Sequence, residues 1–189
     1  IGNISPGLLS RRLKEMEAKG LVERIEDRAT GVVDYIRTDS AIDLEPAMNA
    51  LAVWAQRNIE AEVAICEPNL SSLMWKMRRW IVRDALPRRR IVMRFHFPDA
   101  TSDFDTYWMI AAPDAEIDMC CSDPKLDVDL YVDSSVLSLT SIILGRTTIE
   151  REKEAEALFL SGDALLARTM SRWLHVSDYG QAEGVLMLR

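Results

Sequence analysis

The first apolar positions of the chain recur at helical spacing. Leu9, Leu13 and Met16 stand at i, i+4 and i+7, so they predict one apolar stripe on a short helix over residues 5–19. Ser5, directly before this pattern, is a typical N-cap residue. The opposite face of the predicted helix is small at its start and basic further on, which leaves it available for contact with a partner.

A hairpin and a long helix are predicted next. Residues 21–24 and 32–38 have the pattern of two strands, and the polar loop between them ends in Gly31, as hairpin loops do. Residues 44–64 then carry two apolar helical faces: Leu44, Met48, Leu51, Ala55 and Ile59, and Ala47, Ala50 and Trp54. Two such faces favour packing against more than one neighbour, including a partner subunit.

The stretch Glu67-Pro68-Asn69 interrupts the helical pattern and is the predicted boundary between domains of residues 1–66 and 67–189. The second domain is predicted to contain helices over 70–85, 134–144 and 164–174 and strands over 91–97, 107–112, 116–121, 126–132 and 158–160. Strands that run consecutively before helices indicate an α+β fold rather than an alternating α/β fold.

Charge and composition narrow the class of protein. The 189 residues carry a net charge of -7, which argues against a generally basic nucleic-acid coat but leaves local patches open. No run of about 18 uncharged apolar residues is present, so we expect no membrane insertion. The start lacks the basic-then-apolar run of a signal peptide, and a cytoplasmic protein is expected. The three cysteines, Cys66, Cys120 and Cys121, form no disulfide framework.

The sequence gives little support for catalysis. His96 and His175 stand far apart and in no metal-binding spacing. Cys120 and Cys121 lie in a strand pattern, which favours buried thiols or thiols at a sheet edge over a catalytic nucleophile. The aspartates between residues 99 and 133 are interpreted as a solvated face rather than as catalytic carboxylates. Phosphate-binding glycine loops and the GxSxG motif are missing from the sequence. We therefore expect no enzyme, no metal and no cofactor.

The first family resemblance lies in residues 4–24, ISPGLLSRRLKEMEAKGLVER. These residues resemble the recognition helix and first wing strand of HxlR-type winged-helix transcriptional regulators. Residues 33–55, VDYIRTDSAIDLEPAMNALAVWA, are similar to the second wing strand and the dimerisation helix of that family. The chain departs from the family at Arg37, usually Leu, and at Ala41, usually Gly. The helices that precede the recognition helix in the family are absent, so the resemblance implies a partial winged helix-turn-helix and a chain that starts mid-domain.

This resemblance implies a homodimer that binds double-stranded DNA. Residues at the start of a recognition helix read base edges, while Arg and Lys behind them contact phosphates. The predicted DNA-binding residues are Ser5, Gly7, Leu8, Ser10, Arg11, Arg12 and Lys14, with Arg28 at the wing tip. The alternative is an ordinary solvated helix, because neighbouring acidic residues nearly balance the basic ones.

Residues from about 70 to 180 resemble a sterol carrier protein type-2-like domain. The strand around Phe95, the TYWMIAA and EIDMCCSDP hairpin, and the segments DVDLYVDSSVLSLTSIILGR and LFLSGDALLARTMSRWL carry the resemblance. It implies an antiparallel-rich sheet covered by helices around a cavity for a small apolar molecule or lipid. The candidate lining residues are Trp75, Trp80, Phe95, Phe97, Trp108, Met109, Ile110, Leu137, Leu139 and Ile142.

Two alternatives stay open for these residues of the second domain. The apolar candidates can simply fill a core, as such residues usually do. If they line a pocket, His96, Tyr107 or Arg94 would supply its polar groups. A separate basic cluster extends from Lys76 to Arg94. It is interpreted first as a solvated face, then as a partner of the acidic stretch 99–133, next as a further phosphate contact, and last as a docking site for anionic lipid.

Three functions follow from the sequence. The first is a dimeric transcriptional regulator with an appended sensor domain for an apolar ligand. The second is a binding protein for lipid or another small apolar molecule in which the winged helix is vestigial. The third is a dimerising interaction module with a filled core.

Overall fold

The computed structural model describes residues 5–61, 70–101 and 104–188. They fall into two compact units, Ile1–Trp54 and Ala55–Arg189. The predicted boundary at Glu67-Pro68-Asn69 lies outside the described residues, so the division into domains 1–66 and 67–189 stays a prediction.

The first unit consists of a helix, a hairpin and the greater part of a second helix. Helix α1 spans Pro6–Ala18, and strands β1 (Val22–Glu26) and β2 (Val33–Arg37) pair antiparallel. Helix α2 spans Asp39–Asn58 and continues into the second unit. This order confirms the predicted succession of helix, hairpin and helix.

Helix α2 begins earlier than Leu44, where the apolar pattern begins. The hydroxyl of Thr38 accepts a hydrogen bond from the backbone N–H of Ala41 at 3.3 Å and donates one to the carbonyl oxygen of Gly20 at 2.6 Å. This side-chain cap starts the helix at Asp39, ahead of its first apolar position. The predicted end at residue 64 lies outside the described residues.

The second unit is built on a five-stranded sheet of order β5-β4-β3-β6-β7. The strands are β3 (Ile91–His96), β4 (Thr106–Ala111), β5 (Asp118–Cys120), β6 (Leu130–Ser134) and β7 (Leu158–Gly162). Strands β3 and β6 pair in parallel, and the other three pairs are antiparallel. The sheet is therefore antiparallel-rich, which confirms the predicted α+β class.

Short helices complete this unit. They are α3 (Leu70–Met77), α4 (Val136–Ile143), α5 (Ile149–Glu154), α6 (Ala164–Arg168) and α7 (Met170–Trp173), with 3-10 turns at Arg83–Ala85 and Asp178–Gln181. The core lies between the helices and one face of the sheet, where Ile91, Met93 and Phe95 of β3 are fully buried.

Several predicted boundaries in this unit are wrong. The helix predicted over 70–85 ends at Met77, because Ile81 leaves the helical path to form a bridge with Leu174. The helix predicted over 164–174 breaks at Thr169, and β6 begins at Leu130 rather than at residue 126. The helix predicted over 134–144 spans only Val136–Ile143 with Ser135 as its N-cap, because Ser134 belongs to β6.

Helix α5 was not predicted, because its sequence IEREKE looks fully solvated. Its Glu152 is nevertheless buried and accepts hydrogen bonds from the hydroxyls of Ser138 and Thr147, the latter at 2.5 Å. Burial of a carboxylate is tolerated where its oxygens are hydrogen-bonded. These bonds attach α5 to α4 and to the loop that follows α4.

A buried arginine holds the end of α2 within the second unit. Arg146 is 1% exposed, and its guanidinium donates to the side-chain oxygen of Gln56 at 2.7 Å and to the carbonyl oxygens of Ile59 at 2.6 Å and Ala55 at 3.3 Å. Gln56 in turn donates to the carbonyl oxygen of Leu144 at 2.8 Å. The last carbonyls of a helix lack partners within it and attract cations. Arg146 therefore acts as a C-terminal cap of α2.

Two glycines allow the backbone to pass close to this arginine. Gly145 ends α4 with a φ of +69°, and a Cβ atom there would lie 2.5 Å from the carbonyl oxygen of Gly180. At Gly180 a Cβ would lie 2.7 Å from the carbonyl oxygen of Leu144. Any larger residue at either position would force backbone apart, so both glycines are required by this close approach.

We predict that Arg146→Met destabilises the second unit by about 3 kcal/mol, because the buried oxygens of Gln56, Ala55 and Ile59 would lose charged donors. Urea unfolding followed by circular dichroism measures this loss. The matched control is Arg151→Met, a change at an exposed arginine that we expect to cost no more than about 0.5 kcal/mol. Equal stability of the two variants would contradict the role of Arg146 as an anchor.

Candidate functional site

The basic face of α1 is exposed. The side chains of Arg11 and Arg12 are 66% and 64% exposed and share Glu15 as an ion-pair partner, at 3.8 Å and 2.8 Å. Lys14 is exposed and forms no ion pair with the described residues. Because exposed ion pairs are weak, the two arginines can exchange Glu15 for a phosphate at little cost.

The start of α1 has the small side chains that a close approach to DNA needs. The hydroxyl of Ser5 accepts a hydrogen bond from the N–H of Leu8 at 3.2 Å, so this residue caps the helix as predicted. No atom would lie within 4 Å of a Cβ placed at Gly7, and Ser10 is exposed. The side chain of Leu8 is partly buried, unlike those of its predicted partners.

The wing tip is shaped by Asp27. Its carboxylate accepts hydrogen bonds from the N–H of Ala29 and the hydroxyl of Thr30, each at 2.8 Å, and these bonds lower the pKa of Asp27. Arg28 lies within this fixed turn and is exposed. The structure therefore places all eight predicted DNA-binding residues on two elements of the first unit, namely α1 with its cap and the β1–β2 loop.

The first unit exposes apolar surface as well. Among residues 5–54, only Val22 is buried. Leu44, Met48 and Leu51 follow one another along one face of α2 and are 46%, 57% and 57% exposed. An apolar stripe of this length that stays exposed is typical of a surface that binds another polypeptide.

The predicted ligand residues of the second unit do not surround one cavity. Phe95, Phe97, Leu139 and Ile142 are buried in the core, as is Met109. Trp108 and Ile110 alternate with Tyr107 and Met109 along β4, so they lie on the other face of the sheet. Trp80 and Leu137 are partly buried, and Trp75 is 48% exposed. Placing Phe95 and Trp108 in one cavity was therefore wrong, because strand alternation puts them on opposite faces.

The predicted polar groups are also separated by the sheet. Tyr107 is buried on the core side, with its hydroxyl 2.8 Å from the hydroxyl of Ser71. Arg94 and His96 lie on the other face, where the guanidinium of Arg94 is 5.9 Å from the ring of Tyr131 and Nδ1 of His96 is 2.7 Å from a carboxylate oxygen of Asp133. Each of the three groups already has a partner within the fold.

In the part of the chain that the structure describes, the second unit has a pocket that none of the predicted ligand residues lines and a second one that Trp75 alone of them lines. The larger has a volume of about 520 Å³ and lies between β7, α5, α6 and α7, with Ile149, Leu160 and Met170 among its apolar lining residues and Lys153 and Arg168 among its cations. The second, of about 410 Å³, lies beside Trp75. The larger pocket was not predicted from the sequence, because α5 forms part of its wall and was itself not predicted. Both volumes are of the size that small-molecule sites require.

Over 5–61, 70–101 and 104–188 there is no group of three or more metal-ligating side chains, and no helix there has the length and hydropathy to cross a bilayer. Cys120 lies at the end of β5, where burial and the neighbouring Asp118 raise the pKa of its thiol. The thiolate form is therefore disfavoured at this position.

The first unit has a helix followed by a two-stranded hairpin and the start of a second helix. Residues 1–63 match the model of the HxlR-like helix-turn-helix family. An uncharacterized HTH-type transcriptional regulator of Halalkalibacterium halodurans is 42% identical over 59 residues, which are 31% of this chain. The chain spans about half, 52%, of the length of that relative.

Solved structures with a similar fold include sterol carrier proteins. Sterol carrier protein 2 like 2 of Aedes aegypti matches 55% of this chain and 94% of its own, with 14% identity and a TM-score of 0.41. The apo form of sterol carrier protein 2 from Yarrowia lipolytica matches 65% and 84%, with 14% identity and a TM-score of 0.35. A sec-alkylsulfatase from Pseudomonas sp. matches 55% of this chain but 16% of its own, with 14% identity and a TM-score of 0.42.

We predict that iodoacetamide alkylates Cys121 before Cys120, because Cys121 is exposed while the raised pKa of Cys120 keeps its thiol protonated. Timed quenching followed by tandem mass spectrometry separates the two adjacent sites. Faster labelling of Cys120 would contradict this assignment and would reopen a nucleophilic role for that residue.

Proposed function

We propose that this chain acts in a cytoplasmic, non-catalytic transcriptional regulator, which binds double-stranded DNA as a homodimer and carries a sensor for a small molecule in its second unit. The observation that carries this proposal is the match of residues 1–63 to the HxlR-like helix-turn-helix family, on a unit whose helix and wing expose basic side chains. Ser5, Gly7, Leu8 and Ser10 would approach the base edges. Arg11, Arg12, Lys14 and Arg28 would contact phosphates.

The homodimer is proposed to form through α2. Its exposed stripe of Leu44, Met48 and Leu51 would pack against the same stripe of a second copy, since a two-fold interface uses one patch twice. Trp54, 53% exposed, would extend the same interface. Dimerisation would place two recognition helices on one DNA duplex, as dimeric DNA readers require.

The coupling between ligand and DNA would run through α2. The helix begins next to the wing and ends on Arg146, so a change around Arg146 would act on the helix that we propose as the dimer interface. A ligand can bias DNA binding only if it binds the two states of the protein with different affinities. The pocket between β7 and α5–α7 is the site proposed for the apolar effector.

We predict that Arg11→Ala and Arg12→Ala each weaken binding to DNA from upstream of the protein's own gene, measured by fluorescence anisotropy at several salt concentrations. Each lost phosphate contact should make the negative slope of log K against log salt shallower by about 0.9. The control Arg151→Ala removes one exposed positive charge from the second unit and should leave the slope unchanged. Unchanged affinity in both α1 variants would exclude this helix as the reader.

A second prediction concerns the dimer. The double variant Met48→Glu/Leu51→Glu should be monomeric in light scattering, because it places four carboxylates at the proposed two-fold interface. The matched variant Met48→Leu/Leu51→Met keeps the apolar stripe and should remain dimeric. A dimer that survives the glutamate substitutions would show that α2 is not the interface.

The second candidate function is a small-molecule binding protein without DNA affinity. The observation in its favour is that a pocket of about 520 Å³ is open in the second unit. Mass spectrometry of the purified protein under native conditions would detect a bound apolar molecule. Its presence, together with absent DNA binding, would favour this function over the regulator.

A further inference from the structure

The groove beside Trp75 combines an apolar floor with three guanidinium groups. It has a volume of about 410 Å³ and is lined by α3, by the turn that follows it and by the β4–β5 connection. Ile81 and Ile117 are each 6% exposed and form its floor, while Trp75 projects from the end of α3 and is about half exposed. Arg78, Arg79 and Arg83 stand around this apolar surface.

The arginines keep donors available for a ligand. The guanidinium carbon of Arg78 lies 3.6 Å from the ring centroid of Trp75, which fixes both side chains by a cation–π contact. Arg83 donates one hydrogen bond, to the carbonyl oxygen of Ala115 at 2.7 Å, out of the five donors that a guanidinium has. The exposed side chain of Arg79 forms no ion pair or hydrogen bond with the described residues.

The local charge is positive although the chain is acidic. Residues 76–94 contain eight Lys and Arg and one acidic residue, a net charge of +7, so the remainder of the chain carries -7 minus 7, or -14. Within the groove itself the three arginines face one acid, Glu116, which forms no ion pair with them. An anion is therefore the ligand that this surface attracts.

We propose that this groove binds a small anion that carries a planar apolar group, such as an aromatic carboxylate, sulfonate or phosphate ester. Arg79 and Arg83 would hold the anionic group, since guanidinium groups form strong paired hydrogen bonds with such oxyanions. Trp75 and the isoleucine floor would contact the planar group. Duplex DNA fits the groove less well, because its bases are stacked inside and would leave the apolar floor unused.

As a second effector site, separate from the pocket between β7 and α5–α7, the groove rests on the proposed regulator function, but the binding itself is independent of DNA. Naphthalene-2-sulfonate is a suitable probe, titrated into the full chain labelled with ¹⁵N. The chain has five tryptophans, and their indole N–H signals report on each ring separately; Trp75→Phe assigns the signal of Trp75. We expect a saturable shift of that signal. Arg79→Gln and Arg83→Gln should each weaken binding by about tenfold.

Two controls make the result specific. Arg168→Gln removes the same charge from the other pocket of the unit and should leave the probe affinity unchanged. Inorganic sulfate should shift the Trp75 signal only at far higher concentration, because it lacks the planar group. A Trp75 signal that stays unmoved at millimolar probe, an equal loss in Arg168→Gln, or equal potency of sulfate would each overturn the proposal.

Nucleic acid is tested in the same series. Binding of single-stranded oligothymidine at Trp75, without binding of naphthalene-2-sulfonate, would overturn the proposal in favour of a nucleic-acid surface. If the unmodified chain does not bind duplex DNA but still binds the probe at Trp75, the proposed regulator function is rejected and the proposed anion site is retained. The two failures are therefore distinguishable.

Discussion

The second unit is organised around the buried positive charge of Arg146. A guanidinium removed from water needs hydrogen-bond acceptors on every side, and here the acceptors are the closing carbonyls of α2 and the side chain of Gln56. The arginine thereby requires that the last turn of α2 lie against the loop after α4. The segment that follows Gly180 adds to this arrangement, because Leu186 and Arg57 donate to the carbonyl oxygens of Gln56 and Glu183.

The two faces of the five-stranded sheet differ in polarity and burial. The core-facing side chains of β3 and β4 are large, apolar and buried, and they fill the space beneath the helices. The other face carries Arg94, His96 and Trp108, which are partly exposed; His96 contacts Asp133 and Arg94 lies over the ring of Tyr131. Both pockets therefore open away from the centre of the sheet, at places where short helices meet strand ends.

Local sequence pattern was sufficient for the first unit. The stripe of Leu9, Leu13 and Met16 and the polar loop before Gly31 depend on neighbours close in sequence, so helix, hairpin and helix were all predictable. In the second unit the periodic pattern gave wrong predictions where contacts with residues distant in sequence determine the structure. Ile81 leaves the helical conformation to form a β-bridge with Leu174. The carboxylate of Glu152 can be buried because it accepts hydrogen bonds from Ser138 and Thr147. Neither partner can be inferred from periodicity.

The candidate sites also differ in whether neighbouring residues or distant contacts determine them. The candidate DNA-binding residues lie on one helix and one loop, which is why the sequence could group them, and their role stays a prediction. The ligand residues were chosen for being large and apolar, which selects core as readily as pocket. Trp75 was included for that reason, yet its exposure and its arginine neighbours give it a different chemistry. The alternation of β4 already separated Trp108 from Tyr107, and this signal was available in the sequence.

The close approach of Gly145 and Gly180 has a consequence for genetics. Both glycines lie near the end of α2 and line neither pocket. A random screen for defective alleles would nevertheless recover substitutions at both, since a single methyl group suffices to separate the two backbones there. Such alleles would destabilise the second unit while leaving the side chains that line both pockets unchanged.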